Sequence, residues 1–222
     1  MSNKTPEASE KLMIARATAV SAGQLASLHE QQIKTAFLSR LGTGFLETLY
    51  AALIGSADAF CFVAEADGVV AGYVCGCVDT PKFYREFLRR RWPTALRKLA
   101  WRLARLEVFK GVYEHLRYAR TAAGDADLPR AELISIVVRD EWRGRGLAEE
   151  LLLSLAAEFK RLGIGKFKVV AGSGLLPANA FYKKMNLALV AQTAIHSGEL
   201  ANIYVADTDK LLEGRLPGGS RR

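Results

Sequence analysis

Between an apolar run, Leu133-Ile134-Ser135-Ile136-Val137-Val138, and an amphipathic segment opening at Leu147, the chain carries Arg143-Gly144-Arg145-Gly146. Glycines at a strand-to-helix junction let successive backbone N–H groups turn into one concavity, and a helix N-terminus adds about half a positive charge there. Arg143 and Arg145 supply forked donors suited to phosphate oxygens. The chemistry this pattern fits is the binding of a pyrophosphate. A Walker loop is excluded because no Lys-Ser/Thr follows the glycines. A dinucleotide fingerprint is excluded because Glu149 stands where its third glycine would be.

A second stretch with chemical potential is Ala178-Asn179-Ala180-Phe181-Tyr182-Lys183-Lys184-Met185-Asn186-Leu187. It places a phenol and a carboxamide on one short helix. Glu132 opens the strand that leads into the glycine turn, eleven residues before Arg143, and as a carboxylate could act as a base. Asp79 and His196 are further candidates for that role, as is a water chain. His29 and His115 read as solvated or structural histidines.

Together the two stretches resemble the GNAT superfamily of N-acetyltransferases. Arg143 to Ala148 fits its R/Q-x-x-G-x-G/A acyl-CoA signature, and 178–187 is similar to its N-x-F-Y-x-K-x-G-F segment, with Asn186-Leu187 in place of Gly-Phe. Asparagine is the non-glycine residue that best tolerates a left-handed helix end, so the fold expectation survives the change. The resemblance implies acetyl-CoA or another acyl-CoA as co-substrate and no metal. Backbone groups along Ile136, Val137 and Val138 would bond the pantetheine arm, and the amides of Arg143, Gly144, Arg145, Gly146, Leu147 and Ala148 would hold the pyrophosphate. Asn179 would reach the pantetheine or a water. Tyr182 would give a proton to the departing thiolate, and Glu132 matches the position of the base in histone-type members.

These groups need a scaffold, and the periodicities supply one. A short run at 12–18 is followed by a helix with Ser21 as N-cap carrying Leu25, Leu28, Ile33 and Phe37. After a break at Gly42 and Gly44, a helix carries Phe45, Leu46, Leu49, Tyr50 and Leu53 and stops at Gly55. Two strand-like segments, 60–64 and 69–74, are joined by Asp67-Gly68, a strong hairpin signal. Beyond the glycine turn come a helix over about 147–162, a strand over 166–171, a helix over about 177–185 and strands near 188–196 and 201–205. The order matches the GNAT topology: an α/β (α+β) fold with a mixed, mostly antiparallel sheet flanked by helices. A single domain over 12–206 is expected, with flexible tails at 1–11 and 207–222.

The segment 79–130 is extra to that topology and reads as a basic helical insertion between the third and fourth strands. Trp92, Leu96, Leu99, Leu103 and Leu106 recur at helical spacing, with Pro93 near the start of the main helix. Of the chain's net charge of +8 over 222 residues, this segment holds +7. Such a surface suits a solvated lid or an anionic partner, such as a small-molecule amine acceptor resembling a nucleotide-linked amino sugar. The rival reading is a non-catalytic acyl-CoA sensor or scaffold that engages an acidic partner or an anionic membrane through the same surface. Nucleic acid is not expected, because no RRM, KH, zinc-finger or recognition-helix pattern is present. With 50% hydrophobic residues and 6 prolines the chain can fill a core, which excludes disordered classes. Cys61, Cys75 and Cys77 sit in apolar runs without metal-ligand spacing and read as buried thiols. No signal-like segment opens the chain and no apolar run reaches the length of a membrane span, so a cytoplasmic protein is expected, and a homodimer stays open.

Overall fold

The structure, a computed structural model, describes residues 12–33, 41–99, 128–194 and 200–213, without the side chains of 88 and 91–99. The elements in chain order are β1 (Met13–Arg16), α1 (Ser21–Gln32), α2 (Thr43–Ile54), β2 (Ala59–Ala66), β3 (Val69–Cys77), α3 (Thr80–Leu99) and β4 (Glu132–Val138). A 3-10 turn (Asp140–Trp142), α4 (Leu147–Arg161), β5 (Lys166–Gly172), α5 (Leu176–Lys184), β6 (Ala188–Ala194), β7 (Leu200–Asp207) and α6 (Thr208–Glu213) complete it. The strands form one sheet in the order β1-β2-β3-β4-β5-β7-β6. Every neighbouring pair is antiparallel except β4 and β5.

Alternation along the strands divides the apolar side chains between two cores. In β2, Cys61 and Val63 face the layer of α1, α2 and α3, while Phe60 and Ala64 face α4. The α4 layer is anchored by Leu151, Leu152, Leu155 and Phe159, all fully buried, at about 1.5–3 kcal/mol each. Glu149 and Glu150 in the first turn of α4 and Lys160 and Arg161 in its last turn complement the helix dipole. Asp67 and Gly68 both take positive φ, 50° and 77°, and close the β2–β3 hairpin as a two-residue turn.

One irregularity matters for the site. β4 pairs with β3 as Cys75↔Ser135 and then Gly76↔Leu133, leaving Ile134 as an extra residue. This β-bulge breaks the alternation. Ile134 packs against the α1–α2 core, and Ser135, the next residue, bonds to Tyr73 and Tyr50 on that same side. On the other edge β4 pairs with β5 only at Glu132↔Lys168 and Leu133↔Val169, so the two strands part company after Leu133.

Several expected boundaries move. Ser21 is the first residue of α1 and its hydroxyl accepts from the Thr18 amide at 3.2 Å instead of capping the helix. Gly42, with φ 87°, precedes α2, but Gly44 lies inside its first turn. Pro93 falls in the interior of α3, which starts directly after β3. Phe83, Tyr84 and Phe87 on its first turns are buried in the α1–α2 core, so the helix is docked before its basic stretch begins. The neck of the insertion is tied by Arg130 Nη1 to Asp79 Oδ2 at 3.0 Å. The segment 207–222, expected to be a loose tail, opens with α6, whose Leu211 is buried in the α4 core. Phe37, Leu103, Leu106, His115 and His196 lie outside the described residues.

Candidate active site

The glycine turn adopts the conformation its sequence requires. Gly144 and Gly146 have φ of 75° and 85°, a region costly for residues with a Cβ, and a Cβ built at either would meet no atom within 4 Å. The turn is therefore open on its outer side. After the Arg143 amide, which donates to Asp140 O at 3.2 Å, the next amides with a backbone partner are those of Glu149 and Glu150, both bonded to Gly146 O. The five amides of Gly144, Arg145, Gly146, Leu147 and Ala148 thus have no backbone partner among the described residues. They lie at the N-terminus of a 15-residue helix. Such a set of donors forms an anion cradle.

The two arginines differ in role. Arg145 rests over the Trp142 ring, its Cζ 5.1 Å from the centroid. Arg143 is a hub: Nη1 pairs with Asp140 Oδ1 at 2.7 Å, Nη2 donates to Gln32 Oε1 at 2.9 Å and Nε donates to Val138 O at 3.3 Å. The Val138 carbonyl, one backbone group expected to meet a pantetheine arm, is therefore already turned toward Arg143. The edge of β4 along Ile136 to Val138 makes no pair with β5, so an extended arm could bond there as an added strand.

Tyr182 is 5% exposed and packs on Tyr204 with ring centroids 5.5 Å apart. Its hydroxyl makes no hydrogen bond among the described residues, and burial pushes the phenol above its ordinary pKa, first by desolvation and then by neighbouring Tyr204. The group therefore stays protonated near neutral pH, as a proton donor must. Asn186 takes φ 60°, the left-handed turn expected at the end of α5.

Asn179 does not do what was expected of it. It is 6% exposed, and its Nδ2 donates to Gly172 O at 2.9 Å and Leu175 O at 2.8 Å. Its Oδ1 accepts from Asn202 Nδ2 at 2.7 Å and Tyr204 Oη at 2.9 Å. With both polar atoms engaged inside the protein, the side chain pins α5 to the ends of β5 and β7 and has no free atom for pantetheine or water.

Glu132 pairs with Cys77 of β3 and so lies on the α1–α2 side of β4, with a nearly buried carboxylate. Its Oε2 is 3.4 Å from Lys168 Nζ, itself 7% exposed and donating to Pro129 O at 2.8 Å. Burial raises the carboxyl pKa, and Lys168 works against the rise without cancelling it. Asp79 is a poorer base. Partial burial pushes it upward, but the Lys82 amide and Arg130 hold it below the usual carboxylate range, and it serves as the cap of α3. Among the described residues no group of metal ligands is assembled.

Sequence reasoning missed one feature altogether. His29, which reads from the sequence as solvated or structural, is 4% exposed and joins Tyr50, Tyr73 and Ser135 in a buried hydrogen-bonded cluster beside the bulge of β4. Its sequence signal is four polar side chains on faces that otherwise read as apolar.

A model of the acetyltransferase (GNAT) family matches residues 30–187, a span that contains the glycine turn, Glu132 and Tyr182. No curated protein matches the sequence. Among solved structures, SsHAT is similar with a TM-score of 0.66 at 20% identity, covering 89% of this chain and 98% of its own. An N-acetyltransferase from Staphylococcus aureus Mu50 gives 0.59 at 16% identity, with 89% and 99% covered. Mutant forms of the spermidine/spermine N-acetyltransferase SpeG from Vibrio cholerae give 0.55 at 13% identity, with 92% and 98% covered. At these identities the structures speak for the fold.

Proposed function

Because the chain belongs to the GNAT acetyltransferase family, we propose that it transfers an acetyl group from acetyl-CoA to a primary amine of a small, negatively charged acceptor by direct attack. The observation that carries this reading is the cradle of five amides, Gly144 to Ala148, without a backbone partner among the described residues, beside the open edge of β4. When bound, acetyl-CoA supplies the activated thioester. The chain's own part is mainly positioning: the cradle and Arg143 fix the pyrophosphate end, and the β4 edge aligns the arm. Tyr182 holds its phenolic proton for the leaving sulfur. Glu132, a nearly buried carboxylate on the same side of β4 as α1 and α2, is one base available to the amine. An anionic acceptor is favoured over a polyamine because the sequence 79–130 carries +7 of net charge and its first described turns, through Phe83, Tyr84 and Phe87, pack on the α1–α2 core.

The test is calorimetric titration with acetyl-CoA followed by a thiol-release assay with glucosamine 6-phosphate, free lysine and spermidine. Micromolar binding with turnover greatest on the phosphorylated amine is expected. Binding without thiol release on any amine would instead support an acyl-CoA sensor, and a preference for spermidine would refute the anionic acceptor.

A further inference from the structure

Four polar side chains from four elements meet in the core between the sheet and the α1–α2 layer. His29 Nδ1 lies 2.6 Å from Tyr50 Oη, which lies 2.6 Å from Tyr73 Oη. Tyr73 Oη and Tyr50 Oη are 3.3 and 3.5 Å from Ser135 Oγ. An apolar set of the same shape would avoid the desolvation that these groups suffer. His29 Nε2 is buried and makes no hydrogen bond among the described residues, which is itself destabilising. A scaffold has no need of such a chain.

Its location gives it a use. Ser135 stands at the bulge of β4, two residues past the last pair with β5, on the stretch of strand whose edge is open. All four are buried, at 8% exposure for Ser135, 4% for His29 and at most 1% for the two tyrosines, so Ser135 is the least enclosed member of the chain. A neutral imidazole that accepts at Nδ1 allows one donor order, Ser135 to Tyr73, Tyr73 to Tyr50 and Tyr50 to His29, in which Tyr50 does not also donate to Ser135 and Ser135 Oγ keeps a lone pair for a further donor.

We propose that Ser135, Tyr73, Tyr50 and His29 form a proton relay that takes up the proton shed by the acceptor amine during attack on the thioester. This rests on the acetyl-transfer reading above. As the C–N bond forms and the C–S bond breaks, the amine N–H passes its proton to Ser135 Oγ. The Ser135 proton moves to Tyr73 Oη, the Tyr73 proton to Tyr50 Oη and the Tyr50 proton to His29 Nδ1, giving an imidazolium. Once the product leaves, the protons step back along the chain and Ser135 passes the extra one to solvent water. Desolvation holds His29 down at about 4 against the opposing Glu30, so the imidazole is neutral and free to accept. The other titratable groups around the relay are Cys75 on β3 and Cys61 on β2, both thiols buried in the same core. The relay and Glu132 are alternative exits for one proton, so variants of each separate them.

Two measurements test it. In the full chain labelled with 15N-histidine and without ligand, the His29 signal, assigned by its loss in His29→Gln, should show Nε2 protonated and Nδ1 accepting. Protonation at Nδ1 would reverse the first donor of the relay and overturn it whatever the acceptor is. In thiol release with acetyl-CoA and glucosamine 6-phosphate, Tyr73→Phe should lower kcat by about 100-fold with unchanged acetyl-CoA affinity and a reduced solvent deuterium effect. Tyr73→Phe/His29→Gln should be no slower than either single variant. Full activity in Tyr73→Phe, or losses that multiply in the double variant, would refute the relay. A wild-type protein that acetylates none of the amines would refute the proposed function instead, while the tautomer still decides the relay.

Discussion

Arg143 of the glycine turn is bonded to Gln32, the last residue of α1, with 2.9 Å between Nη2 and Oε1. The residue best placed to meet a pyrophosphate therefore also holds the helix that carries His29. A ligand that recruits the guanidinium competes with this bond and with Asp140. Arg143→Ala should weaken acetyl-CoA binding by about 10- to 100-fold, the loss of one charge-assisted contact. Gln32→Ala should tighten it a few-fold, because one competitor is gone. Calorimetry reads both, and weaker binding in Gln32→Ala would show that the bond supports the site.

The glycine turn can be tested against a matched control. Gly146→Ala forces a Cβ into φ 85° and should cost about 1–2 kcal/mol in urea denaturation. Gly163→Ala, at φ 75° beyond the far end of α4 and likewise in open space, should cost the same. Only the first should weaken acetyl-CoA binding. Equal effects on binding would mean that the turn is not the cradle.

Tyr182→Phe removes a hydroxyl that no described residue holds, so stability should stay within about 0.5 kcal/mol of wild type. Turnover should fall about tenfold or more at unchanged acetyl-CoA affinity. Glu132→Gln keeps the shape but removes the base, and should flatten the acidic limb of the kcat/KM profile. An unchanged limb would leave amine deprotonation to the His29 relay alone.

Asn179→Ala should act on folding. It leaves Asn202 Nδ2 and Tyr204 Oη without their acceptor, while the carbonyls of Gly172 and Leu175 keep the backbone amides of Leu175 and Asn179. At about 1–3 kcal/mol for each group not rescued by water, a loss of about 3 kcal/mol or more is expected in urea denaturation. A stable variant with weakened acetyl-CoA binding would restore the ligand role.

His29 makes stability pH-dependent in a defined direction. Its pKa falls from 6.5 unfolded to about 4 folded, so between those values the unfolded chain binds the extra proton and stability drops as pH falls. Denaturation at pH 7 and pH 4.5 should differ by about 2–3 kcal/mol from this group. His29→Gln should remove that share of the slope. An unchanged slope would mean that His29 is not held neutral.

The glycine turn, the Asp67-Gly68 hairpin and the left-handed Asn186 were legible because each is a local backbone requirement written in residue type. The strand and helix order was legible because alternation and helical spacing are local as well. Pro93 was misplaced for a related reason. Composition shows a proline as a boundary, whereas α3 begins earlier because Phe83, Tyr84 and Phe87 dock into the core. The start of the tail was misjudged because a six-residue helix has almost no periodicity, and α6 exists through the burial of Leu211.

Sequence alone determined the left-handed glycine turn, the strand that feeds it and the family pattern, since these depend on neighbours along the chain. Tertiary structure alone decided which polar atoms remain available. Asn179 was consumed by partners up to 25 residues away, Glu132 acquired Lys168, and Arg143 acquired Gln32 across 111 positions. His29, Tyr50, Tyr73 and Ser135 came together over gaps of 21, 23 and 62 residues. A side chain's type states what it can bond, but only the packing of one face on another, here with the bulge at Ile134 turning Ser135 toward the helices, states what it does bond.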